Sequence, residues 1–372
     1  MFRHSWRVGR IFGIDIQVDS SWVLIFILFT WSLAGNYFPR SFPGWPPGLY
    51  WAVGALTSLM VFVSVLIHEL SHSLVAIRNG ESVKNITLFI LGGVAQISGE
   101  PKEPGKEFSM AVVGPLSSLA LAAGFFLLSG PLMALSVPIG ASVRYLAIIN
   151  TALAVFNMMP GFPMDGGRVF RSIIWKITGD LKKATRIASL TGQGFAFFLI
   201  FIGILQFLRA NFGGLWLIFI GWFLHSAAAR SYEQVRITSA LDGLKARDLM
   251  TSDFATVSSR LPLQSLVDDY ILKRKERVFL VVDGEELEGI VCLEDVKRAA
   301  RETWAESDVR SVMTPKDKLE SVGPDTEGSK VLEKLAGLNV HQIPVVEHGR
   351  VAGIVCRNDL LKTIQLRSEL GM

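Results

Sequence analysis

Up to about Tyr232 the chain is a succession of long apolar runs; from Glu233 onward it is dense in Lys, Glu, Asp and Arg, like a soluble protein. About 20 apolar residues cross a bilayer as a helix. The runs predict six spans, near residues 18–37, 50–78, 108–130, 139–159, 186–208 and 213–231. The first follows the basic stretch MFRHSWRVGR and so has the outline of a secretory signal. It is long and aromatic and lacks a small-residue cleavage site, which predicts a retained span. Two connections break the helical pattern. VKNITLFILGGVAQISGE is β-rich with a glycine pair at Gly92 and Gly93, and predicts a hairpin at the membrane surface. PGFPMDGGRVFRSIIW is rich in Pro and Gly yet borders apolar segments. It predicts non-helical backbone at membrane depth, which is tolerated only beside protein or a watery cavity.

Charge sets the orientation. Arg3, Arg7 and Arg10 precede the first span; Lys84, Lys102 and Lys106 fill the second connection; Arg168, Arg171, Lys176, Lys182 and Lys183 fill the fourth. The connections between these carry Arg40, no basic residue in SGPLMALSVPIG, and Arg209. This alternation places both termini and the soluble tail in the cytoplasm of a multi-pass cell-membrane protein. Half of the 372 residues are hydrophobic and 19% are charged, against about 25% charged in a typical soluble domain. The net charge of +4 follows from basic cytoplasmic loops, and no Lys/Arg stripe suggests nucleic acid. Cys292 and Cys356 both lie in the soluble half, where a reducing compartment is expected and no disulfide framework is implied.

The second span contains VFVSVLIHELSHSLVAIRNG, with ionisable side chains at its centre. Such groups are costly in hydrocarbon and mark function when they persist. In H-E-x-x-H on a helix, His68 and His72 share one face and can reach one Zn²⁺. Glu69 beside them can act as general base on a water activated by the metal. A catalytic zinc site takes three protein ligands and keeps one open position. The candidates for the third are His4, His225 and Asp165. Asp165 is favoured, at a turn after the fourth span where Gly166 and Gly167 let the backbone bend. His225, near the end of the last span, is expected to pack at the membrane interface.

His68–His72 in an apolar helix, Gly114–Pro115 in the third span and NMMPGFPMDGG after the fourth together resemble the site-2 protease family of intramembrane metalloproteases, over residues 10 to 230. The family pattern Asn-x-x-Pro-x-x-Pro-Leu-Asp-Gly is met by Asn157, Pro160, Pro163, Asp165 and Gly166, with Met164 in the leucine position. The resemblance implies a zinc endopeptidase, one Zn²⁺ per subunit, that cuts a substrate's transmembrane segment, with His68, His72 and Asp165 as ligands and Glu69 as base. Asn157 is a candidate to hydrogen-bond the substrate carbonyl or a developing oxyanion, or else a capping and helix-bridging residue. Gly92–Ala95 offers a strand edge to an unwound substrate, or packs on the bundle. Gly114 and Pro115 are expected to permit close helix packing.

The soluble tail repeats itself. ARDLMT at 246–251 parallels VRSVMTP at 309–315, and GIVCLEDV at 289–296 parallels GIVCRNDL at 353–360. The two units resemble a tandem pair of CBS domains, at 244–303 and 306–367. The membrane domain then spans 1–232 and the linker 233–243. CBS pairs often take an adenine nucleotide between the paired units and commonly form a homodimer through them; the alternative to nucleotide binding is a purely structural dimerisation module. Asp295 and Asp359 match its ribose-binding aspartate, while Cys292 and Cys356 stand where a phosphate-binding hydroxyl is usual, and a thiol is a weak donor. The expected fold is thus a polytopic α-helical membrane domain followed by an α/β tandem CBS module. The expected partners are the lipid bilayer and a transmembrane regulatory protein as substrate. A CBS-gated transporter is the alternative, although the two halves do not echo each other as transporter repeats do. A non-catalytic helix-binding protein is a third reading, against which Glu69 stands.

Overall fold

The computed structural model describes residues 5–98, 103–252, 254–274, 276–283, 286–338, 340–348 and 350–370. The chain forms two compact units, residues 1–233 and 234–372.

In the first unit, β1 (Ser5–Ile11) and β2 (Ile14–Asp19) form a hairpin. Its two-residue turn, Phe12–Gly13, has positive φ at both positions, the geometry that matches strand twist. Asp19 caps helix α1 (Ser20–Ser32) by accepting from the Ser21 N–H at 3.0 Å. After a wider turn at 33–37 comes the short α2 (Phe38–Ser41). Helix α3 (Pro47–Arg78) begins with Pro47 at its first position and ends before Gly80 at φ 90°. Strands β3 (Ser82–Phe89) and β4 (Gly92–Ser98) follow, then α4 (Pro104–Leu135), α5 (Val137–Asn157), α6 (Asp165–Thr178), α7 (Leu181–Leu208) and α8 (Gly213–Ser239).

Among the described residues five helices are long and apolar enough to cross a membrane: 20–41, 47–78, 104–135, 137–157 and 181–208. The sixth expected segment is also helical, as α8, but His225, Ser226 and Arg230 dilute it. The expected hairpin is half of a four-stranded sheet in the order β1-β2-β3-β4, with β2 and β3 parallel and β4 at an edge. One face of this sheet packs Ile14, Ile16 and Ile86 onto Leu70 and Leu66 of α3, beside the histidine pair. The connection at 158–164 is non-helical as expected, but a helix starts at Asp165, not a glycine-bent turn. Polar bridges join the apolar helices: Thr57 Oγ1 donates to Ser142 Oγ at 2.9 Å, and Asn150 Nδ2 to Ser64 Oγ at 3.1 Å.

In the second unit the elements are α9 (Ala246–Leu249), β5 (Thr256–Ser258), α10 (Leu263–Ser265), β6 (Val278–Asp283), β7 (Glu286–Cys292), α11 (Leu293–Val296), β8 (Thr314–Pro315), α12 (Gly328–Gly337), β9 (Gln342–Glu347), β10 (Arg350–Cys356) and α13 (Arg357–Glu369). The two repeats are interleaved. β8, from the start of the second, pairs with β7 of the first, while Thr251, from the start of the first, bridges Ile354 of the second. Gly289 and Gly353 make room for this: a Cβ on either would press on Met313 or Met250 of the crossing segment. The repeated Met-Thr and Gly-Ile-Val-Cys motifs are therefore the two halves of one reciprocal contact.

Candidate metal centre

Four residues apart on α3, His68 and His72 project to the same side, and both are buried. Their Nε2 atoms lie 3.1 Å apart, and Asp165 Oδ2 lies 3.0 Å from the first and 3.1 Å from the second. The remaining ring nitrogens are held from outside. His72 Nδ1 donates to the Met110 carbonyl at 2.6 Å, and His68 Nδ1 is 2.9 Å from Ser118 Oγ. With Nδ1 of His72 committed as donor, the neutral imidazole keeps its Nε2 lone pair for a cation. Two imidazole nitrogens and a carboxylate oxygen converging out of water form a donor set that a divalent cation satisfies, and the outer hydrogen bonds are those that orient metal-binding histidines. The residues fit the group.

Two glycines shape the space. A Cβ on Gly114 of α4 would lie 2.8 Å from His68 Nε2 and nearer still to His72 Nε2, so any side chain there would fill the room between the imidazoles. Gly114 thus faces the histidines directly and does more than let helices approach. A Cβ on Gly93 would meet Glu69 Cγ at 2.6 Å, and the Glu69 carboxylate accepts from the Ala95 backbone N–H. Strand β4 therefore lies against Glu69.

Asp165 is delivered by α6, and the reason for its glycines differs from the bend expected. Gly166 and Gly167 are helical, and a Cβ on them would strike the Met158 and Gly161 carbonyls. They are needed for close approach, not for conformational freedom. Gly192 of α7 packs on the Phe162 backbone in the same way. An ion pair that the sequence reading missed anchors the helix. Arg171 Nε donates to Glu107 Oε1 of α4 at 2.7 Å, Arg168 Nε is 3.8 Å from the same oxygen, and the Glu107 side chain is fully buried. Arg171 also lies over the Phe162 ring, 5.0 Å from its centroid. In sequence Glu107 reads as an ordinary acid near a helix start; only its partner 64 residues on distinguishes it.

The other candidates stand apart. Asn157 ends α5, half-buried, and among the described residues no hydrogen bond joins it to His68, Glu69, His72 or Asp165. His225 packs edge-on against Phe197, with ring centroids 4.9 Å apart, and is outside the cluster. His4 lies outside the described residues.

The profile of Peptidase family M50 matches residues 56–137 and 128–201, and that of the CBS domain matches 246–302 and 309–366. Relatives named zinc metalloproteases align along nearly the whole chain. Protein sll0528 of Synechocystis is 36% identical over 96% of this chain and 95% of its own. The chain belongs to peptidase family M50. It is an integral membrane metalloprotease carrying two CBS domains, so the transporter and helix-binding alternatives give way to an enzyme. Rip3 of Mycobacterium tuberculosis is 34% identical to this M50 peptidase over 98% of the chain and 94% of Rip3. The site-2 protease of Methanocaldococcus jannaschii is a solved structure, 26% identical, aligned over 62% of this chain and 95% of that one with a TM-score of 0.43.

In the CBS pair of the M50 peptidase, the two matching aspartates differ in their surroundings. Asp359 lines a cleft of about 490 Å³ with Thr251, Glu276, Gln342 and Lys362. Asp295 is buried, and its Oδ2 accepts from the Cys292 backbone N–H at 3.0 Å and from its Sγ–H at 2.8 Å. Burial pushes the Cys292 thiol up to about 11, so it stays protonated and donating at neutral pH. Asp295 is thereby committed to closing its own helix turn.

Proposed function

We propose that this M50 peptidase is a zinc-dependent endopeptidase that cuts transmembrane segments of membrane-bound regulatory proteins. The observation that carries the reading is the convergence of His68 Nε2, His72 Nε2 and Asp165 Oδ2 inside an apolar bundle. These three residues would hold the ion. Held there, zinc would supply a lowered pKa for a bound water and Lewis-acid polarisation of the scissile carbonyl. Glu69 then takes the proton from the attacking water and delivers it to the leaving amine. Asn157 remains a candidate donor to the carbonyl oxygen.

A peptide bond within a helix has its partners satisfied, so the substrate must unwind first. β4 supports a way to do this: among the described strands it is paired on one side only, and Gly93 and Ala95 bring it to Glu69. An unwound substrate adding to this edge would have its lost helical hydrogen bonds replaced. The basic connections favour cytoplasmic termini, and the CBS pair is proposed as a cytoplasmic, dimerising regulator. It would take an adenine nucleotide in the cleft lined by Asp359, with Asp295 contributing nothing to ribose.

Metal analysis tests the site. Purified wild type is expected to hold about one zinc per chain. Asp165→Ala removes a ligand and Gly114→Ala obstructs the imidazoles, so each loses most of it, on the order of the 10–100-fold affinity losses seen on perturbing metal sites. Gly124→Ala, on the same helix with nothing near the added methyl, keeps it. Full zinc in Asp165→Ala would place the third ligand elsewhere. Regulation is tested by cleavage in reconstituted vesicles: adenine nucleotide changes the rate in wild type and not in Asp359→Ala, and equal rates with and without ATP, ADP and AMP would remove the regulatory part alone.

A further inference from the structure

Helix α5 carries one charged residue, Arg144, seven positions inside its start. At 1.5 Å per residue this is about 10 Å along the span. A charge in such a place persists where something meets it. Among the described residues Arg144 has no ion pair and no side-chain hydrogen bond, and its side chain is exposed. It lies instead at the wall of an open groove of about 390 Å³ between α4 and α5. Ala122, Ala123 and Phe126 of α4 and Ala147 and Thr151 of α5 line it, and every lining residue other than Arg144 is uncharged. Ala122 and Ala147 are buried at its floor, whereas Phe126 stands 70% exposed beside it.

The geometry points to a bound anionic phospholipid in this groove, its phosphate on the Arg144 guanidinium and one acyl chain along the alanine floor. Apolar walls with a single convergent polar group, in this range of volume, are the pattern of a small-molecule site. A guanidinium offers forked N–H donors that match two phosphate oxygens at once, and its long stem lets the head reach toward the headgroup region. The charge balance selects the lipid class. The groove supplies no carboxylate, so a zwitterionic lipid would bring an ammonium with no partner, while an anionic one leaves a neutral pair. A transmembrane helix in the same groove would need an acid of its own at this depth, a costly residue to carry. The inference does not depend on the catalytic reading.

The full-length protein is reconstituted in phosphatidylcholine nanodiscs containing phosphatidylglycerol, and native mass spectrometry counts the lipid that stays bound. Wild type is expected to retain about one phosphatidylglycerol per chain, about tenfold over phosphatidylcholine. Arg144→Leu loses this preference, and Arg144→Lys, a point charge without the fork, keeps part of it. A cooperative thermal transition in both variants reports that they fold. Should Arg144→Leu fail to fold, thermal melting of wild type decides: it rises with phosphatidylglycerol and stays flat with phosphatidylcholine. Equal retention of the two lipids by wild type overturns the proposal. So does displacement of the lipid by inorganic phosphate alone, or an Arg144→Leu variant that keeps its lipid but loses crosslinking to a co-reconstituted transmembrane peptide.

Discussion

Glutamine at position 69 leaves the zinc content of the purified protein at the wild-type level and slows cleavage of a transmembrane substrate by about 10²- to 10⁴-fold, the usual contribution of a general base. Glutamine matches glutamate in shape, so its amide oxygen still accepts from the Ala95 N–H and still fits over Gly93. What it cannot do is take a proton. The two readouts separate three roles. A ligand at position 69 would lower the zinc content when replaced. A merely structural carboxylate would leave the rate near wild type. Only a base loses rate at constant metal. Measurement of both on one preparation, with the substrate in the same vesicles, decides among them.

Glu107→Ala is expected to lower stability by about 3–5 kcal/mol, the cost of leaving one partner of a buried ion pair uncompensated. The Arg171 side chain is only 6% exposed and loses its carboxylate, while the less buried Arg168 can turn toward water. Because the pair ties α6 to α4, its loss also frees the helix that presents Asp165, and zinc affinity falls with stability. Thermal melting in detergent, followed beside zinc content, reads the two effects. Glu107→Met combined with Arg171→Leu replaces the pair by apolar groups of similar size and is expected to restore most of the melting temperature. If restored stability comes without restored zinc, the arginine positions Asp165 through its charge and not through packing alone.

These residues show what a sequence can and cannot display. His68, Glu69 and His72 are legible because helix periodicity converts a four-residue spacing into a shared face. Asp165 is picked out in the sequence by its glycine-flanked turn and by a family pattern, and the structure brings it beside the histidines, yet the helix begins at Asp165 and its glycines exist for contact, not for a bend. Gly114 and Gly93 could not have been ranked above other glycines, since what matters is the atom an absent side chain would strike. The β1–β2 hairpin was hidden by its charged alternation, which read as a basic arm before the first span; Ile14, Ile16 and Val18 are the period-two signal that could have disclosed it. Asp295 and Asp359 occupy equivalent places in their repeats, and only the structure separates a capped carboxylate from one lining a cleft.

The reciprocal exchange of Met-Thr segments in the CBS pair bears on how that region melts and how it can be divided. A fragment of residues 244–303 lacks β8 and so loses the outer partner of β7, while a fragment of 306–367 lacks Thr251 opposite Ile354. Neither repeat carries all of its own hydrogen-bonded edge. The pair is therefore expected to unfold as one cooperative block with a single transition, and duplication in the sequence does not amount to autonomy of its halves.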